Sequence, residues 1–267
     1  MEQPKNNFKI VPDKKARMIL PNALTLIGVC IGLSSIKFAL DSKFELSIIA
    51  IIFAALFDGL DGRIARLIKG TSKVGKELDS LTDVISFGVA PAFIMYFWSL
   101  NNLGKFGWLL CLIYVVCVTL RLARFNIHSN TEPSWRDNFF EGVPSPAGGI
   151  IVLMPLIFSL SELDIFNVNY NLIVPIFFIT TSFLLISKFP TYSLKRIVIP
   201  RSMTIFLLFG IVLFFGLLLI YTFKVIALSG LVYLMLIPIS FLHYQKIKKQ
   251  KNIGVIKDEN EDLEDIL

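Results

Sequence analysis

The sequence predicts an all-α membrane protein, a polytopic bundle of about eight transmembrane helices, on three observations. The 267-residue chain is 55% hydrophobic and only 17% charged, with mean hydropathy +0.70, whereas a soluble domain carries roughly a quarter charged residues. Its 24 Phe residues cannot all be buried in one water-soluble core of this size. The apolar residues also gather into runs, at about 22–40, 45–62, 82–100, 106–124, 147–160, 172–188, 203–222 and 225–242. Crossing the hydrocarbon core takes roughly 20 residues of helix, and lipid admits only segments that pair their own backbone groups.

Residues 1–20 precede the first run, and "NNFKIVPDKKARMILPN" mixes Phe, Ile, Val and Met with cations. Such a stretch suits a helix lying in the interface against anionic headgroups, or a basic flank that only sets orientation. The run at 147–160 is short and contains Pro155, while 201–244 supplies two further spans. The tail, 245–267, begins "HYQ"-distal with "KIKKQK", a basic stop, and continues into an acidic, solvated segment expected to be disordered.

Orientation follows from Lys and Arg. Lys5, Lys9, Lys14, Lys15 and Arg17 precede the first span; Arg63, Arg66, Lys69, Lys73 and Lys76 lie between the second and third. Arg121, Arg124 and Arg136 follow the fourth, Lys188, Lys195, Arg196 and Arg201 follow the sixth, and Lys246, Lys248, Lys249, Lys251 and Lys257 follow the eighth. The alternate connections hold only Lys37, Lys43, Lys105 and Lys224. Twenty-two against four places both termini on the cytoplasmic side of the membrane. The net charge of +6 therefore marks run ends, not a nucleic-acid surface. Cys30, Cys111 and Cys117 lie singly in apolar runs without CxxC spacing, and no cleavable signal is visible.

One segment breaks the apolar pattern. "LFDGLDGRIARLIKGTSKVGKELDSLTD" (56–83) carries Asp58, Asp61, Glu77, Asp79 and Asp83 at the edge of two apolar runs. Asp58 and Asp61 are spaced i,i+3 and Asp79 and Asp83 i,i+4, so each pair occupies one helix face. Two neighbouring helices joined by a short loop bring the four carboxylates together on the cytoplasmic side. Clustered anions near lipid require positive charge, and an all-oxygen donor set suits Mg²⁺ or Mn²⁺. No Cys or His lies nearby, which argues against zinc. Gly62, Ala65 and Gly75 leave the helix surface bare for close approach, and Arg66 offers a planar fork to a phosphate. Together these describe a diphosphate site. Plain helix caps are the alternative for any single Asp; the EF-hand pattern does not fit.

Asp58-x-x-Asp61-Gly62-x-x-Ala65-Arg66 followed by Gly75-x-x-x-Asp79-x-x-x-Asp83 resembles the signature of the CDP-alcohol phosphatidyltransferases at every specified position. The resemblance implies a six-helix catalytic core within 21–200, two divalent ions held by the four Asp, and a CDP-linked lipid donor. It also implies that an acceptor hydroxyl attacks the lipid-side phosphorus and CMP leaves. Asp83 matches the residue regarded as the base. Asp61, Gly62, Ala65, Arg66 and Gly75 match the CDP-lipid site, with Gly62 and Ala65 against the cytidine and Arg66 near the phosphates. A homodimer is a family expectation.

"DVISFGVAPA" (83–92), "RLARFNI" (121–127) and "FEGVPSPAGG" (140–149) further resemble the membrane-embedded bacterial phosphatidylserine synthases, with "PNALTL" and "FPTYSLK" fitting less sharply. That resemblance implies CDP-diacylglycerol and L-serine as substrates. A serine pocket needs a cation and polar partners, for which Arg121 or Arg124, with Asn126 or Ser86, are the candidates; both Arg could instead be positive-inside flanks. Lys195, Arg196 and Arg201 could hold a lipid phosphate or serve topology alone. The alternatives are another acceptor (glycerol 3-phosphate, choline or inositol phosphate) and, in a different class, a divalent-cation transporter with intramembrane carboxylates.

Overall fold

The computed structural model describes residues 14–68, 70, 72–128, 139–162, 169–192 and 203–264. Among the described residues, eight long helical segments follow the eight apolar runs: α1 Lys14–Leu40, α2 Phe44–Leu67, α3 Lys73–Trp98, α4 Lys105–His128, α5 Ser145–Leu160, α6 Tyr170–Ile186, α7 Thr204–Ile220 and α8 Thr222–Glu264. Among the described residues, α1 from Ile19, α3, α4 to Ile127 and α8 to Ile247 are long and apolar enough to cross a membrane; α5, α6 and α7 are shorter apolar helices. The packing divides into two compact units, Met1–Ala123 and Arg124–Leu267.

In the first unit, α1 and α2 form a hairpin closed by the three residues between them. The Lys43 amide donates to Phe38 O and the Ser42 amide to Ala39 O, with Ser42 at φ +58°. This is a Schellman end with serine in the left-handed position usually given to glycine. The Ser47 hydroxyl on α2 donates to Ser35 O on α1, 2.9 Å away. α1 also lies close against α3. A Cβ at Gly32 would stand 2.5 Å from Ser86 Oγ and 3.1 Å from its Cα. Ile48, Ile51 and Ala54 of α2, Phe87, Ile94 and Met95 of α3, and Tyr114 and Val118 of α4 are all buried.

α3 widens to a π turn over Val84–Val89. Pro91 has no N–H to give to the Phe87 carbonyl four residues back, and the buried Tyr114 hydroxyl of α4 donates to that oxygen at 2.7 Å. Single π turns of this kind gather at functional sites, and this one begins directly after Asp83.

In the second unit α5 is buried almost all round, with every residue from Ile151 to Ile157 inside. A short helix that is apolar on all faces is a core element, which accounts for the brevity of this run. Val143, Ile151 and Ile237 of α8 pack together against Phe177 and Leu184 of α6. Outside the all-α expectation is a small antiparallel ribbon, β1 Phe139–Glu141 with β2 Pro190–Tyr192. Gly142 follows it at φ +77°, where a Cβ would meet the Ser187 carbonyl at 2.9 Å.

Residues 14–20 run continuously into α1, and the rest of the N-terminal segment, for which an interfacial helix or a basic flank was expected, lies outside the described residues. α8 continues through the charged tail to Glu264 where disorder was expected. Lys, Glu and Gln are strong helix formers, and a helix already nucleated in the apolar segment extends one residue at a time without a new nucleation cost.

Candidate active site

Between α2 and α3, residues 68, 70 and 72 are described, and their contacts tie the ends of the two carboxylate-bearing helices. The Gly70 amide donates to Ala65 O to close α2, and Ser72 caps α3 by accepting from the Gly75 amide at 2.9 Å. A Cβ on Gly75 would meet Asn22 Oδ1 at 2.9 Å, so glycine there lets α1 approach the start of α3.

One carboxylate oxygen each from Asp58, Asp61 and Asp79 lie within 4.8 Å of one another. The Asp58 carboxylate also lies within hydrogen-bonding reach of Asp79 and Asp83. Asp83 Oδ1 is buried without a hydrogen-bond partner, and the Arg121 guanidinium acts on the same carboxylate from α4. Asp61 is 4% exposed, and the Thr25 hydroxyl of α1 donates to its Oδ2 at 2.6 Å. Two unit charges 4.8 Å apart repel by about 3 kcal/mol at an effective dielectric near 20. Three carboxylates this close gain from a shared cation, and the donor set is oxygen only, as hard divalent ions prefer. The Asp83 oxygen without a hydrogen-bond partner adds one more donor of the same kind. The residues fit a divalent metal.

Around the cluster, a Cβ added at Gly62 would meet nothing within 4 Å, leaving a bare, exposed helix surface. Ala65 is half-buried. Arg66 is exposed, and its Nε donates to Gly62 O at 3.0 Å. Arg121 is buried. Ser86 is buried with its hydroxyl directed at Gly28 O of α1, 3.4 Å away. Arg124 and Asn126 fall in the second unit, where Arg124 Nη1 donates to Ile186 O at the end of α6, 2.7 Å away. A cation there complements the helix C-terminus. Lys195, Arg196 and Arg201 lie outside the described residues. Thr25 and Asn22 were not singled out from sequence; the only signal was their place in "PNALTL", polar residues three apart opening an apolar run.

Residues 18–187 match the family model for CDP-alcohol phosphatidyltransferase. The chain belongs to the CDP-alcohol phosphatidyltransferase family. Members of this family generally depend on divalent cations. The chain is 40% identical over 187 residues to a Mycobacterium leprae protein named CDP-diacylglycerol–serine O-phosphatidyltransferase, covering 68% of this chain and 61% of that relative. A Helicobacter pylori protein of the same name is 40% identical over 136 residues, 51% of this chain and 56% of its own length. One from Methanocaldococcus jannaschii is 36% identical over 174 residues, 64% of this chain and 74% of its own length. The chain thus spans less than two thirds of the mycobacterial relative. This phosphatidyltransferase-family chain carries its acidic cluster, Thr25 and Arg121 inside the matched region.

Proposed function

We propose that the protein is an integral-membrane transferase that makes phosphatidylserine from CDP-diacylglycerol and L-serine, releasing CMP. The observation that carries this is the convergence of Asp58, Asp61 and Asp79 within 4.8 Å, beside an Asp83 oxygen that has no protein partner. The names of the relatives support serine as the acceptor.

Two divalent ions, Mg²⁺ or Mn²⁺, held among Asp58, Asp61, Asp79 and Asp83 would screen the diphosphate and the charge that develops on departing CMP. The chain's residues do the rest. Gly62 and Ala65 offer the bare face against which the cytidine packs, and Arg66 extends its fork toward the donor phosphates. Asp83 accepts the serine hydroxyl proton as that oxygen bonds to the lipid-side phosphorus and the bond to the CMP oxygen breaks. General-base help of this kind is worth roughly 10²–10⁴-fold. Arg121, buried in α4 and close enough for its charge to act on Asp83, pairs with the serine carboxylate; that electrostatic link favours it over Arg124, Asn126 and Ser86 for that role. Lys195, Arg196 and Arg201 remain candidates for lipid phosphate. The site faces the cytoplasm, as the distribution of Lys and Arg supports.

Purified protein supplied with CDP-diacylglycerol and labelled serine, glycerol 3-phosphate, inositol phosphate or choline tests the reading. Phosphatidylserine and CMP form from serine, and EDTA stops the reaction. Phosphatidylglycerophosphate without phosphatidylserine would reassign the acceptor. Divalent-metal flux without CMP release would replace the enzyme by a transporter.

A further inference from the structure

The four aspartates come from α2 and α3, but the structure brings a third helix into the site. We infer that Thr25 of α1 is a positioning residue for Asp61, fixing the carboxylate plane so that it is set to bind a cation. This rests on the reading that the aspartate cluster holds divalent metal.

Thr25 is 5% exposed and Asp61 is 4% exposed, with 2.6 Å between Oγ1 and Oδ2 across 36 residues of sequence. The Thr25 hydroxyl also lies 3.0 Å from the Pro21 carbonyl. It has one proton to give. An ionised carboxylate only accepts, so the shorter contact is a charge-assisted bond donated by threonine. The terminal torsion of an Asp side chain is broad and roughly two-fold. Besides a backbone contact at Gly62, the Asp61 carboxylate takes the Thr25 hydroxyl, and a side-chain donor held on one oxygen narrows the planes it samples.

α1 is itself held in register. Ser47 of α2 bonds Ser35 O, Gly32 lies against Ser86, and a Cβ on Gly28 would touch Thr82 Cγ2 at 3.5 Å. Thr25, Gly28 and Gly32 follow one another at helical spacings of three and four, so one face of α1 meets both carboxylate-bearing helices. The hydroxyl is therefore presented from a fixed scaffold, as the outer partners of metal ligands require. Loss of such partners typically weakens metal binding 10–100-fold.

The test uses full-length protein in detergent or nanodiscs, titrated with Mn²⁺ and followed by the EPR signal of the free ion. Thr25→Val, nearly isosteric and without a hydroxyl, is expected to weaken Mn²⁺ binding 10–100-fold. The Mg²⁺ concentration for half-maximal turnover rises in parallel, while kcat at saturating metal falls much less. Thr25→Ala and Thr25→Ser, which differ from each other by the hydroxyl alone, guard against a packing defect in the valine variant. Serine restores binding and alanine does not. If Thr25→Ala bound Mn²⁺ as tightly as Thr25→Ser, the positioning role would be overturned while the metal site stood. If the wild-type protein bound no Mn²⁺, the metal reading would fall and this inference with it.

Discussion

Replacing Asp58 by Asn is expected to stabilise the cation-free protein while abolishing its activity. Asp58 lies within 4.8 Å of Asp61 and Asp79 and in reach of Asp83. Each charged pair at that separation costs about 3 kcal/mol at an effective dielectric near 20. Asn removes the charge at nearly constant volume and adds an amide donor for the neighbouring oxygens. Counter-ions and local rearrangement absorb part of the repulsion, so a net gain of about 1–3 kcal/mol is expected. At about 2–4 °C per kcal/mol, the melting temperature in EDTA should rise by several degrees. The same measurement with Mg²⁺ completes the cycle: wild type is stabilised by the ion and Asp58→Asn much less, which separates the electrostatic effect from any packing change. An Asn variant that melts lower than wild type in EDTA, alongside a wild type indifferent to Mg²⁺, would refute the reasoning. It would mean that protein donors already neutralise the cluster.

Asp83→Asn should lower phosphatidylserine formation by at least about 10²-fold while the protein still inserts and elutes as a folded species; near-normal turnover would remove Asp83 from the mechanism. Gly32→Ala would drive a Cβ to 3.1 Å from the Ser86 backbone, forcing α1 off α3 at a cost of about 1–3 kcal/mol; an unchanged melting temperature in detergent would contradict the close approach. Tyr114→Phe leaves the Phe87 carbonyl without the hydroxyl it accepts from at 2.7 Å, a loss of about 1–3 kcal/mol that thermal unfolding should detect.

Much of this was legible in the chain because membrane physics is one-dimensional at first order. Apolarity along the chain marks the helices, so the run at 172–188 becomes α6 Tyr170–Ile186 with little adjustment, although it is shorter than the four helices long enough to cross a membrane. The aspartates were legible for a similar reason: helical spacing fixes a shared face, and a short loop leaves few ways to arrange two helices. Thr25 was not legible. A threonine in an apolar helix commonly bonds its own backbone, and Thr25 does reach Pro21 O; only the placement of α1 reveals that Asp61 is nearer. The π turn escaped for the same reason, since Pro91 shows that a carbonyl loses its partner but not that Tyr114 supplies another. The charged tail misled because its composition resembles disorder while its attachment to α8 extends a helix already formed.

Taken by itself, the sequence determined that the chain is helical and membrane-embedded, where its apolar helices fall, and that two pairs of carboxylates occupy single helix faces. Those properties depend on residues close together along the chain and on the solvent around them. Only the tertiary structure decided that α1 reaches Asp61 and that Ser86 turns toward Gly28. Such contacts join residues tens of positions apart, and they are selected by how close glycines let the helices come, which no local pattern encodes.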